Sequence, residues 1–235
     1  MRYLSIFFAA LLLLSVTACS GGGNSNGENG ENDAHGEGNG AEVESVNLHN
    51  PNEQVTDWQV ALEYLEDGNK RFVEDKTMAR DTNAKDRNIL KNGQKPFAVI
   101  VTCSDSRVAP EIYFDQKLGD IFVIRNAGNI ADKTALGSIE YAVEHLEAPL
   151  VVVVGHSSCG AVTGALNGGE FPENLESIIE TIEPDIEDSA DVDEAVRKNI
   201  EYTVDQIKEN EIVEHMEATV IGAYYDIATG EVVFD

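Results

Sequence analysis

Three continuous apolar runs constrain the fold of this chain more than any other feature. They occupy residues 97–101, 121–124 and 150–154, and such runs are typical of strands that are buried on both faces of a sheet. Helical patterns lie between and after them, at residues 136–146 and 161–166. Because buried strands that alternate with helices imply crossover connections, the pattern predicts a single α/β domain with a mainly parallel central β-sheet flanked by helices.

Elements before and after this core are predicted from the spacing of apolar residues. Residues 55–74 have apolar side chains at helical spacings and predict an amphipathic N-terminal helix. The other predicted elements are a polar helix at 84–91, an acidic helix-rich region at 171–217 with its clearest helix at 192–208, a strand at 218–227 and a short closing run at 231–234. The strand and the closing run flank Thr229-Gly230 and are hairpin-like.

The N-terminus carries a targeting pattern. Arg2 precedes an apolar run that is too short to span a bilayer comfortably and has the size of a signal-peptide core. The run ends in Val16-Thr17-Ala18-Cys19, which resembles the lipobox of bacterial lipoproteins. By that resemblance, residues 1–18 are a signal peptide and Cys19 is the lipid-modified first residue of an exported protein on the extracytoplasmic face of the membrane. An ordinary signal peptide with a cysteine near its cleavage site is the alternative.

Residues 19–50 are rich in Gly, Asn, Glu and Asp and contain no Lys or Arg. Such a segment cannot bury enough apolar surface to offset its ordering entropy, so a disordered acidic linker is predicted. His35 and His49 lie within it and are predicted to be solvated rather than metal ligands. The folded domain is predicted to span residues 51–235.

The charge balance limits the classes of partner. The chain has 16 Lys+Arg and 43 Asp+Glu, which gives a formal net charge of −27. Nucleic acids and anionic lipid headgroups would be repelled by such a surface. We therefore expect membrane attachment through the lipid anchor only, and no nucleic-acid partner. Such an acidic surface is typical of a highly soluble protein, or of a protein from a saline or alkaline habitat.

Side chains with useful chemistry follow the ends of two predicted strands. Cys103 and Asp105 come after the first apolar run, and His156 and Cys159 come after the third. Because the carboxyl ends of parallel strands carry the ligand-binding loops, these side chains are expected to converge. Two thiols and one imidazole suit tetrahedral zinc, and three protein ligands leave the open position of a catalytic site.

Each of these residues also has a purely structural interpretation. On that interpretation Cys103 and Cys159 are buried apolar thiols or a disulfide, which an exported location permits. His156 is then a hydrogen-bonded loop histidine, and Asp105 forms an ordinary local ion pair with Arg107. Taken singly, the structural interpretation is favoured, because an isolated His-x-x-Cys spacing is weak support for a metal site.

Four segments together are far more specific than the single residues. They are Cys-Ser-Asp-Ser-Arg-Val at 103–108, Gly-Asp-Ile-Phe-Val-Ile-Arg-Asn-Ala-Gly-Asn at 119–129, Ile-Glu-Tyr-Ala-Val at 139–143 and Gly-His-Ser-Ser-Cys-Gly at 155–160. In this order they closely resemble the β-class carbonic anhydrases, from about residue 55 to the end of the chain. The resemblance implies an enzyme that converts carbon dioxide reversibly to bicarbonate and a proton, with one zinc ion per chain.

The resemblance also implies individual roles. Cys103, His156 and Cys159 would bind the zinc ion, and Asp105 would be either its fourth ligand or the partner of Arg107. The two arrangements exclude each other, so exchange between them would gate the site. Zinc would lower the pKa of bound water so that hydroxide attacks carbon dioxide. Two thiolates cancel the charge of the ion, so this pKa should exceed the value of about 7 found with three histidines, and an alkaline optimum is expected.

A carbon dioxide pocket is implied as well. Gln94 corresponds to a substrate-binding glutamine of plant-type members, and Phe122 and Tyr141 match aromatic positions that narrow the pocket across a dimer interface. A homodimer or a dimer of dimers is therefore expected, with the N-terminal helix making dimer contacts. Some bacterial members have a tryptophan at the position of Ile100 as part of a second bicarbonate site, so no such site is expected here.

Two other functions remain open at this point. One is a related hydrolase on the same scaffold, such as an enzyme acting on carbon disulfide, because a scaffold does not fix its substrate. The other is a non-catalytic zinc-binding lipoprotein, for which an intact Asp-Arg pair would not be needed. His145 and His215 are candidates for a proton exit, but neither position can be located from sequence.

Overall fold

The computed structural model describes residues 48–78 and 83–235, which lie in one compact unit. A five-stranded sheet with the order β2-β1-β3-β4-β5 forms its centre. The strands are β1 (Ala98–Cys103), β2 (Ile121–Asn126), β3 (Leu150–His156), β4 (Thr219–Tyr225) and β5 (Val232–Phe234). The first four are parallel and β5 is antiparallel to β4. The predicted single α/β domain with a mainly parallel sheet is therefore confirmed.

Eight α-helices are found in the described residues. They are α1 (Trp58–Val73), α2 (Ala84–Leu90), α3 (Pro110–Tyr113), α4 (Lys133–Glu140), α5 (Gly160–Asn167), α6 (Glu173–Ile186), α7 (Val192–Lys208) and α8 (Glu211–His215). The predicted acidic helical region thus comprises α6, α7 and α8. Within residues 48–78 and 83–235, no helix has the length and apolarity that a membrane span requires.

The helix that was predicted at residues 136–146 differs from the observed one. Helix α4 begins earlier, where the Asp132 side chain accepts hydrogen bonds from the amides of Thr134 and Ala135. It then passes into a π-helical turn at Tyr141–His145. A π turn adds one residue to the helical turn, which the apolar spacing alone does not reveal, and such turns are frequent at functional sites.

The core lies on both faces of the sheet, because β1 and β3 are completely buried. One face packs against α4 to α8 and contains Val99, Val101, Val151 and Val153. The other packs against α1 and α3 and contains Ile100 and other apolar residues of the same strands. Burying one such side chain stabilises the fold by roughly 1.5–3 kcal/mol. Strands β1 and β3 are therefore held firmly in the core, and so are the residues at their carboxyl ends.

The prediction that His49 is solvated is wrong. Its side chain is buried, with Nδ1 2.9 Å from the Asp120 carboxylate and Nε2 3.3 Å from the carbonyl oxygen of Glu53. The ring also makes edge contacts with Tyr64 and Phe97. The contacts with the Asp120 carboxylate and two aromatic rings bury His49 although the sequence around it is polar. His49 therefore belongs to the folded domain. The other predictions for residues 1–47, including Cys19 and His35, lie outside the described residues.

Candidate metal centre

Three potential metal ligands meet at the carboxyl end of the sheet. Cys103 is the last residue of β1, His156 is the last residue of β3, and Cys159 directly precedes α5. Their ligand atoms all lie within 4.8 Å of one another, and all three residues are buried. The expected convergence of these side chains is confirmed. Both cysteines are free thiols, so the structure does not contain the alternative disulfide.

The local sequence explains how the two halves of the cluster meet. Strands β1 and β3 are parallel neighbours, with Thr102 paired to Val154, so their last residues lie side by side. After His156 the chain turns sharply at Ser158, which has a φ of 57°. The turn is fixed to the neighbouring strand, because the Ser157 amide donates to the carbonyl of Tyr225 over 3.0 Å. Cys159 is thereby held at the N-terminus of α5.

The two thiols shift each other's pKa in opposite directions. The Cys159 thiol donates to the Cys103 sulfur, and this bond lowers the pKa of Cys103 to about 4 against the opposing effect of burial. The backbone amides of Gly128 and Asp105 also lower this pKa. The same bond, together with burial, raises the pKa of Cys159 far above its usual range. A lowered pKa favours the thiolate form of Cys103, which is the form that binds metals.

The hydrogen bonds of the His156 ring show whether it has a nitrogen available to a metal ion. Nδ1 lies 3.0 Å from the carbonyl oxygen of Ser157, which can only accept, so Nδ1 carries the proton. Nε2 then presents a lone pair, and it is buried without a hydrogen-bond partner. An unsatisfied buried nitrogen beside two sulfurs is costly without an ion and suited to one. Two sulfurs and one imidazole are a common ligand set of catalytic zinc.

Asp105 pairs with Arg107 rather than with the cluster. The guanidinium donates through Nε to Oδ1 over 2.9 Å and through Nη2 to Oδ2 over 2.7 Å. The Arg107 amide donates to Oδ1 as well. These hydrogen bonds hold the pKa of the Asp105 carboxyl well below its usual range. Of the two arrangements expected for Asp105, the structure has the ion pair with Arg107.

Gln94, Phe122 and Tyr141 do not meet the cluster within one chain. Gln94 precedes β1, and Phe122 pairs with Val99 near the start of that strand, whereas Cys103 ends it. Cys103 lies four residues after Val99 along the strand, which corresponds to about 13 Å. Phe122 and Tyr141 do lie near each other, with ring centroids 6.2 Å apart. Gln94 and Tyr141 are exposed.

Three residues near the cluster were not predicted from the sequence. Arg125 donates to the carbonyls of Cys103 and Asp105 over 3.2 and 2.7 Å and so fixes the loop between them. Gly128 donates its amide to the Cys103 sulfur over 3.4 Å. Asn199 of α7 donates to the carbonyl of Gly128 over 2.9 Å. An asparagine among the apolar positions of a helix is a signal that could have indicated Asn199.

Comparison with known proteins identifies the family. The sequence profile of the carbonic anhydrase family matches residues 98–232, which is more than half of the chain. A carbonic anhydrase of Mycolicibacterium smegmatis is 41% identical over 186 residues, which cover 73% of this chain and 90% of the relative. Carbonic anhydrase 2 of Mycobacterium tuberculosis is 44% identical over 153 residues, which cover 61% of this chain and 74% of the relative.

Solved structures agree with this result. A β-carbonic anhydrase of Aspergillus fumigatus is 29% identical, with a TM-score of 0.57 and coverage of 63% of this chain and 79% of the other. A tetrameric β-carbonic anhydrase of Sordaria macrospora is 26% identical, with a TM-score of 0.60 and coverage of 74% and 95%. The chain therefore belongs to the carbonic anhydrase family, and it is a carbonic anhydrase of the β class.

Proposed function

We propose that this enzyme hydrates carbon dioxide reversibly with one zinc ion per chain, held by Cys103, His156 and Cys159. The observation that carries the proposal is the unpartnered Nε2 of His156, which is buried in a group whose ligand atoms lie within 4.8 Å of one another. When bound, zinc supplies the Lewis acidity that makes hydroxide available from water near neutral pH. Membership of the family supports carbon dioxide and bicarbonate as the substrates.

The protein itself keeps one coordination position free. Three ligands leave a fourth tetrahedral position, and Asp105 follows Cys103 closely enough to fill it. Arg107 prevents this by holding both carboxylate oxygens in a bidentate pair. The pair therefore acts as a gate: the site is open while Asp105 is on Arg107 and closed when Asp105 moves to the metal.

The substrate pocket is completed by a second copy of the chain. Among the described residues β2 pairs only with β1, so it forms an edge of the sheet, and its residue Phe122 is only partly buried. Tyr141 beside it is 46% exposed. A homodimer in which this edge meets the partner's metal centre would bring Gln94, Phe122 and Tyr141 to the substrate. The N-terminal helix α1 would add dimer contacts through its exposed first residue, Trp58.

Metal removal and restoration test the reaction. The purified full-length protein should contain one zinc ion per chain and accelerate carbon dioxide hydration in a stopped-flow assay. Chelation should abolish the activity, and zinc should restore it. A protein that binds zinc stoichiometrically but leaves the hydration rate unchanged would refute the proposal, and activity towards carbon disulfide would then identify a related hydrolase.

The enzyme is exported and attached to the extracytoplasmic face of the cell membrane through Cys19. The Val-Thr-Ala-Cys ending of the apolar run supports this, and two acyl chains suffice for stable anchoring whereas an acidic domain has no affinity for anionic lipid. Fractionation tests it: Cys19→Ala should move the enzyme from the membrane pellet to the soluble fraction. Finding the unaltered protein soluble outside the cell would contradict the anchor.

A further inference from the structure

We infer that Asn199, on helix α7, is a positioning residue of the metal centre and acts on Cys103 through Gly128. Asn199 is 1% exposed, and its Nδ2 donates to the carbonyl oxygen of Gly128 over 2.9 Å. A fully buried amide of this kind is costly unless it is hydrogen-bonded. The inference rests on the proposed function, since it concerns how the zinc ligands are held.

Gly128 passes this constraint to the sulfur. Its backbone amide donates to Cys103 Sγ over 3.4 Å, while its carbonyl accepts from Asn199. The residue has a φ of 73°, and a Cβ atom there would come within 2.5 Å of the Ile182 side chain. Gly128 is thus held between α6, α7 and the cluster. The contact with Asn199 fixes the peptide plane that follows Gly128, and this plane is joined at the Gly128 Cα to the plane that carries the N–H bond.

Helix α7 also backs the histidine ligand. A Cβ atom on Gly155, which precedes His156, would lie 2.7 Å from the Ile200 side chain and 2.9 Å from that of Val196. The absence of a side chain at Gly155 therefore lets α7 pack directly on β3. One helix consequently supports two of the three ligands, through packing behind His156 and through the Asn199 hydrogen bond behind Cys103.

The chemical consequence concerns the charge of the thiolate. An N–H donor draws electron density from a sulfur ligand, so the sulfur donates less charge to the ion. In a site with two thiolates this keeps the ion more acidic. Hydrogen bonds around metal ligands typically contribute 10–100-fold to metal affinity or activity. The same hydrogen bond also holds the Cys103 sulfur in place, so we expect loss of the Asn199 contact to weaken zinc binding and to alter the metal–sulfur bond.

The test compares two substitutions in the full-length protein. Asn199→Ala removes the donor, and Thr203→Val is the matched control on the next turn of α7. Thr203 is also 1% exposed, and its hydroxyl has no hydrogen-bond partner among the described residues. Asn199→Ala should bind zinc about tenfold more weakly in chelator competition. It should also shift the sulfur-to-metal charge-transfer band of the cobalt-substituted protein, whereas Thr203→Val should match the unaltered protein in both measurements.

A merely structural role for Asn199 would lower the melting temperature of Asn199→Ala and leave the charge-transfer band unchanged. That result, or zinc affinity equal to that of Thr203→Val, would overturn the inference. Should Asn199→Ala fail to fold, Asn199→Ser decides by the same criteria, because serine is polar but too short to reach the Gly128 carbonyl. If the unaltered protein binds no zinc, the proposed function fails instead, so the two failures are distinguishable.

Discussion

The two ends of the parallel sheet carry different halves of the proposed active site. At the carboxyl end, Cys103, His156 and Cys159 are buried, and their positions are fixed by strand pairing and backbone hydrogen bonds. At the amino end, Tyr141 is 46% exposed, and Gln94 is exposed before the first strand begins.

This difference shows which part of the site one chain can build alone. Metal ligands must be held in a narrow geometry before the ion arrives, which requires a packed and hydrogen-bonded surround. Residues that only shape an apolar pocket can instead be supplied by a second molecule when the two meet. On the proposed function, one chain contains the whole metal half of the site (Cys103, His156 and Cys159), and a partner would supply the substrate half (Gln94, Phe122 and Tyr141).

The largest expected effect comes from the metal half. Cys159→Ser should lose most of the bound zinc and essentially all hydration activity, because a hydroxyl is a far poorer zinc ligand than a thiolate. Zinc content by elemental analysis and a stopped-flow assay check this. Ser104→Ala, an exposed serine next to Cys103, is the control and should keep both. Stoichiometric zinc with normal turnover in Cys159→Ser would show that the cluster has been assigned wrongly.

Arg107→Ala should separate metal binding from activity. Without its partner, Asp105 is free to occupy the fourth position, so the variant should keep its zinc and lose nearly all activity. X-ray absorption should then report two sulfurs, one nitrogen and one oxygen from the protein. A water on zinc with Asp105 elsewhere would rule out the gate and leave a structural ion pair.

The gate also predicts the direction of the pH dependence in the unaltered enzyme. Arg107 keeps the pKa of Asp105 well below its usual range, so the carboxylate stays charged across the working pH range. Its choice between Arg107 and zinc then depends on competition with hydroxide, which binds the metal better than neutral water does. Activity should rise with pH, and oxygen coordination by Asp105 should increase as pH falls. Coordination that is constant between acidic and alkaline pH would contradict this.

Mixing two inactive variants tests whether the metal ligands and the pocket residues of one active site come from different chains. Cys159→Ser lacks the metal half, and Tyr141→Ala should retain zinc but turn over slowly. In a two-fold symmetric dimer, a mixed pair contains one site with both halves intact, so random re-pairing should recover roughly a quarter of normal activity. Recovery no greater than the sum of the two separate variants would place both halves in the same chain.

Salt should have the smallest effect, which is a change in the stability of the fold through screening of surface charges. The chain has a net charge of −27, and self-repulsion should destabilise the compact state at low ionic strength. In about 1 M sodium chloride, where the screening length is roughly 3 Å, the melting temperature should rise by several degrees. Zinc affinity should change little, because the ligands are buried. A melting temperature that is flat or falls with salt would contradict the prediction.

Much of the fold and the metal half followed from the sequence by itself. The apolar runs predicted β1, β2 and β3 correctly. Strands β1 and β3 are buried on both faces, which needs uninterrupted apolar residues, whereas the edge strand β2 is only partly buried. Cys103, His156 and Cys159 could then be expected to meet, because the ends of adjacent parallel strands are neighbours whatever the rest of the chain does. These inferences needed only local composition and order along the chain.

Other features were decided only by the tertiary structure. His49 pairs with Asp120, and Asn199 with Gly128, across 71 residues in each case. The sequence around such residues does not record what will pack against them, so His49 was expected in solvent and Asn199 was not noticed. The distance of Phe122 from the cluster likewise depends on strand register. Contacts between distant segments arise from packing, and packing is a property of the folded chain.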